Sequence, residues 1–378
     1  MSRKTRRLTP WILFFLLSGL GLSLLFVTRS KKEPLDNESD GVVFSSKIHP
    51  KFLIDTEPSL IPDLPQKKPP SYRIEDFKYI AVEAGKKLWK IDAQRTLMYS
   101  PERLVHGRQV QAQIYGTNDQ ITWITGDESK YFLNHSQIEL FGKVHITLPD
   151  GFEIWSEYVH YSPKHQHLFI PETYAVTGKG KPDTEQSFIE FKSQGLDYRM
   201  QEGLITLLDR SQFTLSKKAP LSQDHLPPSS PDPEMTVIEA DQSEINRKTQ
   251  VVEFKTHPKR SLKDQFIYIA QPTLLTRARQ ATLHYGDFKN LVHYLIATHD
   301  VLIKEIPDRN KTKSLRYATA GWAEFNTQND IVTLKHFPQL YEGGDTVAGD
   351  RILLHRNSDL VEIQNSNAFS EGISRKKH

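Results

Sequence analysis

The chain has 378 residues and no cysteine, and its 49 Lys and Arg nearly balance its 46 Asp and Glu, leaving a formal net charge of +3. The absence of cysteine excludes disulfide cross-links and thiolate chemistry, and the near-balanced charge gives no electrostatic indication of nucleic-acid binding. Hydrophobic residues make up 37% of the chain, which is enough for packed cores in two or three domains.

The first element in chain order is an apolar segment. Residues 11–27 form an uncharged run of about 17 residues between basic flanks, at the short end of what crosses a bilayer as a helix. The run continues into VTRSKK instead of the small residues of a cleavage site. We therefore predict an uncleaved transmembrane anchor and a cytoplasmic basic tip over 1–29; a signal peptide cut further along is the alternative. The predicted anchor residues are Trp11, Phe14, Leu17, Leu22, Leu25 and Val27.

Proline-rich segments divide the rest of the chain. Residues 30–70 carry seven prolines and no periodicity, which predicts an extended tether. Residues 216–234 are again rich in proline and predict a linker between one domain at 71–215 and a second at 235–370. The basic tail, 371–378, is predicted to be disordered.

Within both predicted domains, apolar and polar residues alternate. In VHITLPDGFEIW, Val144 and Ile146 share one side of a strand, Asp150 and Gly151 favour a tight turn, and the alternation then resumes. A similar cadence recurs roughly every 25 to 45 residues as far as Phe369. We therefore predict an all-β fold of two tandem domains of antiparallel strands, preceded by one transmembrane helix.

Motifs for catalysis are missing from the sequence. It contains no G-x-S-x-G, no H-E-x-x-H and no Gly-rich phosphate loop. The histidines of HYSPKHQH, residues 160–167, are the densest set, but H-x-H on a proline-containing turn is more typical of surface polar residues than of metal ligands. The carboxylates at 127 and 128, and those at 241 and 244, fall at strand entries and are typical of turns and caps. We predict no catalytic residue, no metal site and no cofactor.

The inward faces of stacked strands would form a long apolar surface. It could be a dry core or a groove for lipid, and the alternation alone fits both. Each buried acyl CH₂ contributes about 0.8 kcal/mol, so a groove could hold lipid chains reversibly. The candidate groove residues are Ile138, Leu140, Val144, Ile146, Leu148, Ile154, Val252, Phe254, Leu283, Tyr285, Val301, Ile303, Val332, Leu334, Ile352, Leu354, Val361 and Ile363.

Two parts of the chain resemble known families. IEAD at 238–241 with RKT at 247–249, and YEGGDTVAGD at 341–350, resemble the OstA-type repeats of the LptA family. The anchor and the first domain, with TGDESKYFLNHSQIELFGKVHITLPDG and LDYRMQEGLITL, resemble the LptC family. The resemblance implies β-jellyrolls that stack edge to edge and join their grooves. In those families the two parts are usually separate proteins, which leaves open whether this fused chain needs further soluble subunits.

The resemblance also implies a function. It implies a single-pass protein of the inner membrane of a Gram-negative bacterium, mostly periplasmic, that receives lipopolysaccharide from the permease jellyrolls of an Lpt ABC transporter. The lipid would pass to an outer-membrane Lpt receptor or to further LptA-like subunits. Edge strands would contact these partners, near Leu88 and Ile91 at one end and near Leu360 and Phe369 at the other. A β-solenoid enzyme acting on an envelope polysaccharide and a structural envelope adaptor are the alternatives.

Overall fold

The computed structural model of the protein describes its β body over most of residues 69–370 and over short stretches before them. The described residues are 47–49, 59–62, 64, 69–83, 85–116, 120–133, 137–180, 187–217, 234–257, 261, 265–286, 292–306, 316–326, 331–355 and 360–370. The predicted anchor and the basic tail lie outside them. Among the described residues, no helix combines the length and the hydrophobicity needed to cross a membrane.

The described residues form 24 strands, and every strand pairing among them is antiparallel. The all-β prediction is therefore confirmed. A 3-10 helix at Pro163–His165 joins β7 to β8. The first ten strands are β1 Lys47–His49, β2 Tyr72–Glu83, β3 Lys86–Tyr99, β4 Leu104–Tyr115, β5 Ile121–Phe132, β6 Gln137–Thr147, β7 Glu153–Ser162, β8 His167–Lys179, β9 Ser187–Arg199 and β10 Leu204–Lys217. The others are β11 Glu234–Ala240, β12 Gln242–Asn246, β13 Val251–Lys255, β14 Ile267–Ala270, β15 Leu274–Ala278, β16 Gln280–Tyr285, β17 Val292–Glu305, β18 Arg316–Asn326, β19 Ile331–Lys335, β20 Gln339–Glu342, β21 Asp345–Ala348, β22 Arg351–His355, β23 Val361–Gln364 and β24 Asn367–Ser370.

Several long strands bend near their middle, so that one strand contributes to two sheet layers. In β9 the bend is at Gly195, whose φ of +75° is unfavourable for residues with a Cβ. A Cβ there would also lie 2.9 Å from the backbone of Glu172 on the neighbouring strand. Other long strands also have a residue with left-handed φ near their middle. At several of these positions the register shifts, as a β-bulge requires. The residues are Asp76, Gln109, Lys143, Arg210 and Asp300.

After the meander from β2 to β10, the two layers continue as separate ladders. Residues 204–207 of β10 pair with β12, whereas residues 211–217 pair with β11. The β12 layer then runs through β13, β16, β19, β22 and β23, and the β11 layer through β14, β15, β20, β21 and β24. The bent strands β17 and β18 belong to both layers. The hydrophobic core lies between the layers and runs through the body from β2 to β22.

Strands from both sides of the Pro-rich segment at 216–234 share this sheet. β10 lies before the segment and pairs directly with β11 and β12 after it. β10 also extends to Lys217 and β11 begins at Glu234, so both ends of the predicted linker are β-strand. Residues 41–378 form one compact unit. The division into domains at 71–215 and 235–370 stays a prediction.

Part of the predicted tether is bound to the β body instead of extending from it. β1 pairs with residues 73–75 of β2, whose edge would otherwise offer unsatisfied backbone groups. Further along, Ser59 Oγ and the Leu60 backbone N–H donate hydrogen bonds to the buried carboxylate of Glu128. Ile61, only 3% exposed, packs beside them. The sequence did not predict this docking, because Glu128 is far from the segment along the chain.

Of the strands predicted to be edge strands, only those near the C-terminal end of the described chain are edge strands. Leu88 and Ile91 lie on β3, which pairs with β2 on one side and β4 on the other, so the prediction of an edge there was wrong. The extra hairpin strand β2 covers β3, and within the described chain β1 covers only the start of β2. At the other end, Leu360 directly precedes β23 and Phe369 lies on β24; in the described chain each of these strands pairs on one side only, with β22 and β21.

Glu128 is therefore expected to contribute to stability. Its carboxylate also lies 2.9 Å from Nε2 of His106, and both residues are at most 5% exposed. Glu128→Ala removes the acceptor shared by His106, Ser59 and Leu60 and should lower the free energy of unfolding by about 1–3 kcal/mol. Urea unfolding measures it. Glu172→Ala, at an exposed carboxylate of β8, is the control and should leave the unfolding midpoint in place; equal losses in the two variants would contradict this prediction.

Candidate functional site

The predicted groove residues all face the space between the layers. Those from Ile138 to Ile352 are at most 6% exposed and belong to one core. The last three, Leu354, Val361 and Ile363, are partly buried and pack against that core. The sequence could not say which strand face points inward, and the structure places all eighteen on the inner one. Most of the predicted groove is filled by these side chains themselves.

A small space remains between the layers. A cavity with a free volume of about 20 Å³ lies where β9 and β10 meet β12 and β13. The β11 layer contributes Phe152, Phe191 and Phe213 to its wall, and the β12 layer contributes Ile205, Ile245 and Val252. Ile189 adds to the β11-layer wall, and Tyr285 and Arg247 complete the lining. The free volume is room for about one water molecule, and the wall is apolar apart from these last two residues.

Stacked aromatic rings form the β11-layer wall of this cavity. The Phe152 and Phe191 rings stack with their centroids 5.5 Å apart, and Phe213 follows 5.9 Å from Phe191. Phe191 lies directly over Gly178 on the neighbouring strand β8, where a Cβ would come within 2.3 Å of the ring. Gly178 therefore makes room for the ring. The alternation predicted inward residues here, but not the close ring packing that depends on the neighbouring strand.

A charged pair bridges the two layers at the mouth of this cavity. Arg247 donates to the Asp150 carboxylate through Nη2 and, at 3.1 Å, through Nε. Its Nη1 donates to the Tyr198 hydroxyl at 2.5 Å. The side chains of Arg247 and Asp150 are only 18% and 24% exposed, so the pair is largely shielded from solvent. We call this ion pair the clasp.

The strand topology explains why the clasp joins the layers. Asp150 lies in the β6–β7 turn, at the end of the β11 layer away from the bends. Arg247 begins the β12–β13 turn, at the corresponding end of the β12 layer, where its backbone N–H donates to the Gly203 carbonyl at 2.9 Å. These free ends, which we call the rims, would stand apart in an open pair of layers. The clasp holds them together.

Burial and charge set the protonation states at the clasp. Burial lowers the pKa of Arg247, but Tyr198 and Asp150 outweigh it, so the pKa lies above its ordinary value and the guanidinium stays charged. Burial raises the pKa of Tyr198, against the opposing effect of Arg247, and raises that of Tyr285 to about 12. Both phenols are neutral at physiological pH. The site therefore presents one cation, neutralised by one carboxylate, beside an apolar cavity.

The other polar candidates have structural partners. His167 Nε2 lies 3.0 Å from Asp197 Oδ2, and burial is the main cause that lowers the pKa of nearby His160. The carboxylates also have structural partners: Asp241 accepts from the His257 backbone N–H at 2.7 Å, and Glu244, within β12, pairs with Lys255. Among the described residues, no three His, Asp or Glu side chains are grouped so as to hold a metal ion.

Comparisons with known proteins bear on the first part of the chain. Residues 52–215 match a family model described as LptC, lipopolysaccharide-assembly, LptC-related. The match covers less than half of the chain. The resemblance predicted from the sequence of the first domain is thereby confirmed. Asp150, Tyr198 and the phenylalanines of the cavity lie in this matched region, and Arg247 lies beyond its end.

A solved structure and the curated proteins complete the comparison. The crystal structure of LptH, described as the LptA homologous periplasmic component of the conserved lipopolysaccharide transport device from Pseudomonas aeruginosa, aligns with 36% of this chain and 95% of its own. The identity is 12% and the TM-score 0.30. No curated protein matches the chain.

The contact between Gly178 and Phe191 leads to a prediction about the cavity wall. Gly178→Ala should push the Phe191 ring out of its stack and lower the free energy of unfolding by about 1–3 kcal/mol, because the surrounding rings are closely packed. Urea unfolding measures the loss. Gly116→Ala is the matched control, since a Cβ there meets nothing closer than 3.5 Å. An undiminished stability of Gly178→Ala would show that the wall is looser than the ring contacts imply.

Proposed function

We propose that this protein carries lipopolysaccharide across the periplasm, with the acyl chains held between its two β layers and the sugars outside. The observation that carries the proposal is the LptC-related region itself, because it supplies one wall of the interlayer cavity and much of the apolar core. The chain acts as a carrier and not as an enzyme. The polar groups weighed as catalytic candidates pair with neighbouring strands and turns, which fits this role.

Lipid would enter by replacing contacts between the layers. The inner side chains touch one another in the present structure and the cavity between them is small, so an acyl chain must separate the layers to enter. Each methylene that leaves water gains about 0.8 kcal/mol, which can offset the loss of contacts between the layers. The free energy of replacing contacts between side chains by contacts with lipid is therefore close to zero. Such a balance suits a carrier that must also release its lipid.

The edge strands would make the contacts with partners. We propose that the part of β2 beyond its pairing with β1, residues 76–83, receives an edge strand from the permease jellyrolls of an inner-membrane Lpt ABC transporter. β23 and β24 would pair onward with an outer-membrane Lpt receptor or a further LptA-like subunit. An exposed edge offers a row of backbone donors and acceptors, so added strands would join the grooves. The transporter supplies the energy, since this sequence has no phosphate-binding loop.

The N-terminal segment would hold the carrier at its source. Residues 11–27 are proposed to anchor the chain in the inner membrane as a single-pass protein, with 30–70 leading to the β body. Retention of the N-terminus in the inner-membrane fraction supports this arrangement. A mature protein that begins after Ser30 and leaves the membrane contradicts the anchor without contradicting the carrier.

Photo-crosslinking tests the carrier proposal directly. Benzoylphenylalanine in place of Phe213 or Phe152, both in the cavity wall, should capture lipopolysaccharide in cells upon irradiation. Trp155 is the matched control, because it lies three residues from Phe152 on the outer face of β7, stacked on His145. Capture at Phe213 and Phe152 but not at Trp155 is expected. Capture at Trp155 alone, or normal delivery of new lipopolysaccharide to the surface after depletion of the protein, would refute the proposal.

A further inference from the structure

We propose that the clasp is an anion-exchange latch: an amphipath with an aliphatic tail and an anionic headgroup displaces Asp150 from Arg247 while its tail separates the layers at the interlayer cavity. The inference deepens the proposed function and rests on it for the identity of the natural ligand. The recognition of charge at the mouth of the cavity can be tested without knowing the natural ligand.

The first argument is the position of the clasp. Asp150 and Arg247 lie on opposite rims, and Arg247 also lines the cavity. The guanidinium therefore marks the boundary between a polar mouth and a wall of aromatic and aliphatic side chains. An amphipath has the same division along its own length. A tail between Phe213 and Ile205 would leave its headgroup at the level of Arg247.

The second argument is charge. Arg247 is largely shielded from water, so removal of its carboxylate partner without replacement would leave a poorly compensated cation. An incoming phosphate or carboxylate restores the charge balance and can accept the same forked hydrogen bonds. A neutral headgroup cannot restore the charge balance. The clasp should thus open readily for anionic amphipaths and resist neutral ones with the same tail.

The third argument connects the latch to the cavity wall. Asp150 and Phe152 are two residues apart on one turn, and the Phe152 backbone N–H donates to Asp150 Oδ1 at 3.2 Å. Phe152 in turn stacks on Phe191 over the cavity. Arg247 is held on its own rim by the backbone bond to Gly203 and by Tyr198. Release of Asp150 therefore removes the link between Arg247 and the turn that carries Phe152, which couples exchange of the anion to access between the layers.

The test uses the full-length chain in nanodiscs of uncharged lipid, with benzoylphenylalanine at position 213 in every variant. The yield of captured probe is measured for dodecyl phosphate, laurate and dodecanol, which have twelve-carbon chains. Each probe partitions into the bilayer to the same extent whichever variant is present. Asp150→Asn removes the competing anion with little change in shape. It should increase the apparent affinity for dodecyl phosphate and laurate about tenfold and leave dodecanol unchanged.

Two further variants complete the design. Arg247→Gln should abolish the preference for the anionic probes over dodecanol. Asp300→Asn, in the Arg279–Asp300 pair of the β17 bend, makes the same substitution away from the cavity and should change nothing. An equal gain for all three probes in Asp150→Asn would mean that the pair only restrains the rims, and would overturn the proposal. So would an anion preference that survives Arg247→Gln.

The outcomes also separate the latch from the carrier function. Lipopolysaccharide capture at Phe213 in cells together with an unchanged preference in Arg247→Gln would refute the latch and leave the carrier intact. An anion preference that depends on Arg247, without any capture of lipopolysaccharide, would support the latch and refute the carrier. A preference for laurate over dodecyl phosphate would assign the site to carboxylates, and the reverse to phosphates.

Discussion

The architecture depends on the bend in the middle of the long strands. A pleated strand places alternate side chains on opposite faces, so one that folds over at its midpoint turns the inner faces of its two halves toward each other. Gly195, with its left-handed φ and the close approach of Glu172, shows the steric requirement at one such bend. Because neighbouring long strands bend in the same region, the meander becomes two layers while each strand keeps the same neighbours within the meander on both sides of its bend.

Two consequences follow from this geometry. The apolar inner faces can be buried only against each other or against a ligand, so the interior serves either as a core or as a binding space. The layers are joined covalently along the bends and held elsewhere by packing and by contacts such as the clasp. Separation of the two layers therefore requires the least free energy at the rims, where the Asp150–Arg247 pair lies beside the cavity. The filled core and a role in lipid transport are compatible if the rims separate.

The clasp also joins the region that matches the LptC family model to the chain that follows it. Asp150 and Tyr198 belong to the matched region, whereas Arg247 lies beyond its end. β10 pairs with strands from both parts, so the ladder continues across the Pro-rich segment. The cavity is lined by residues from the matched region and from the chain beyond it.

The sequence by itself determined the local structure. Alternation of apolar and polar residues identified the strands around Val144 and Ile352, and the Asp150-Gly151 pair predicted a turn. The residues that share one strand face could also be grouped, because successive side chains of a strand point to opposite faces. Only the tertiary structure decided which face points inward, that β3 is covered by β2, and that Ser59 and Leu60 dock on Glu128. It alone placed Arg247 against Asp150, 97 positions away. Such contacts depend on where strands bend and how layers meet, and no short stretch of sequence encodes a distance between residues that only the completed fold brings together.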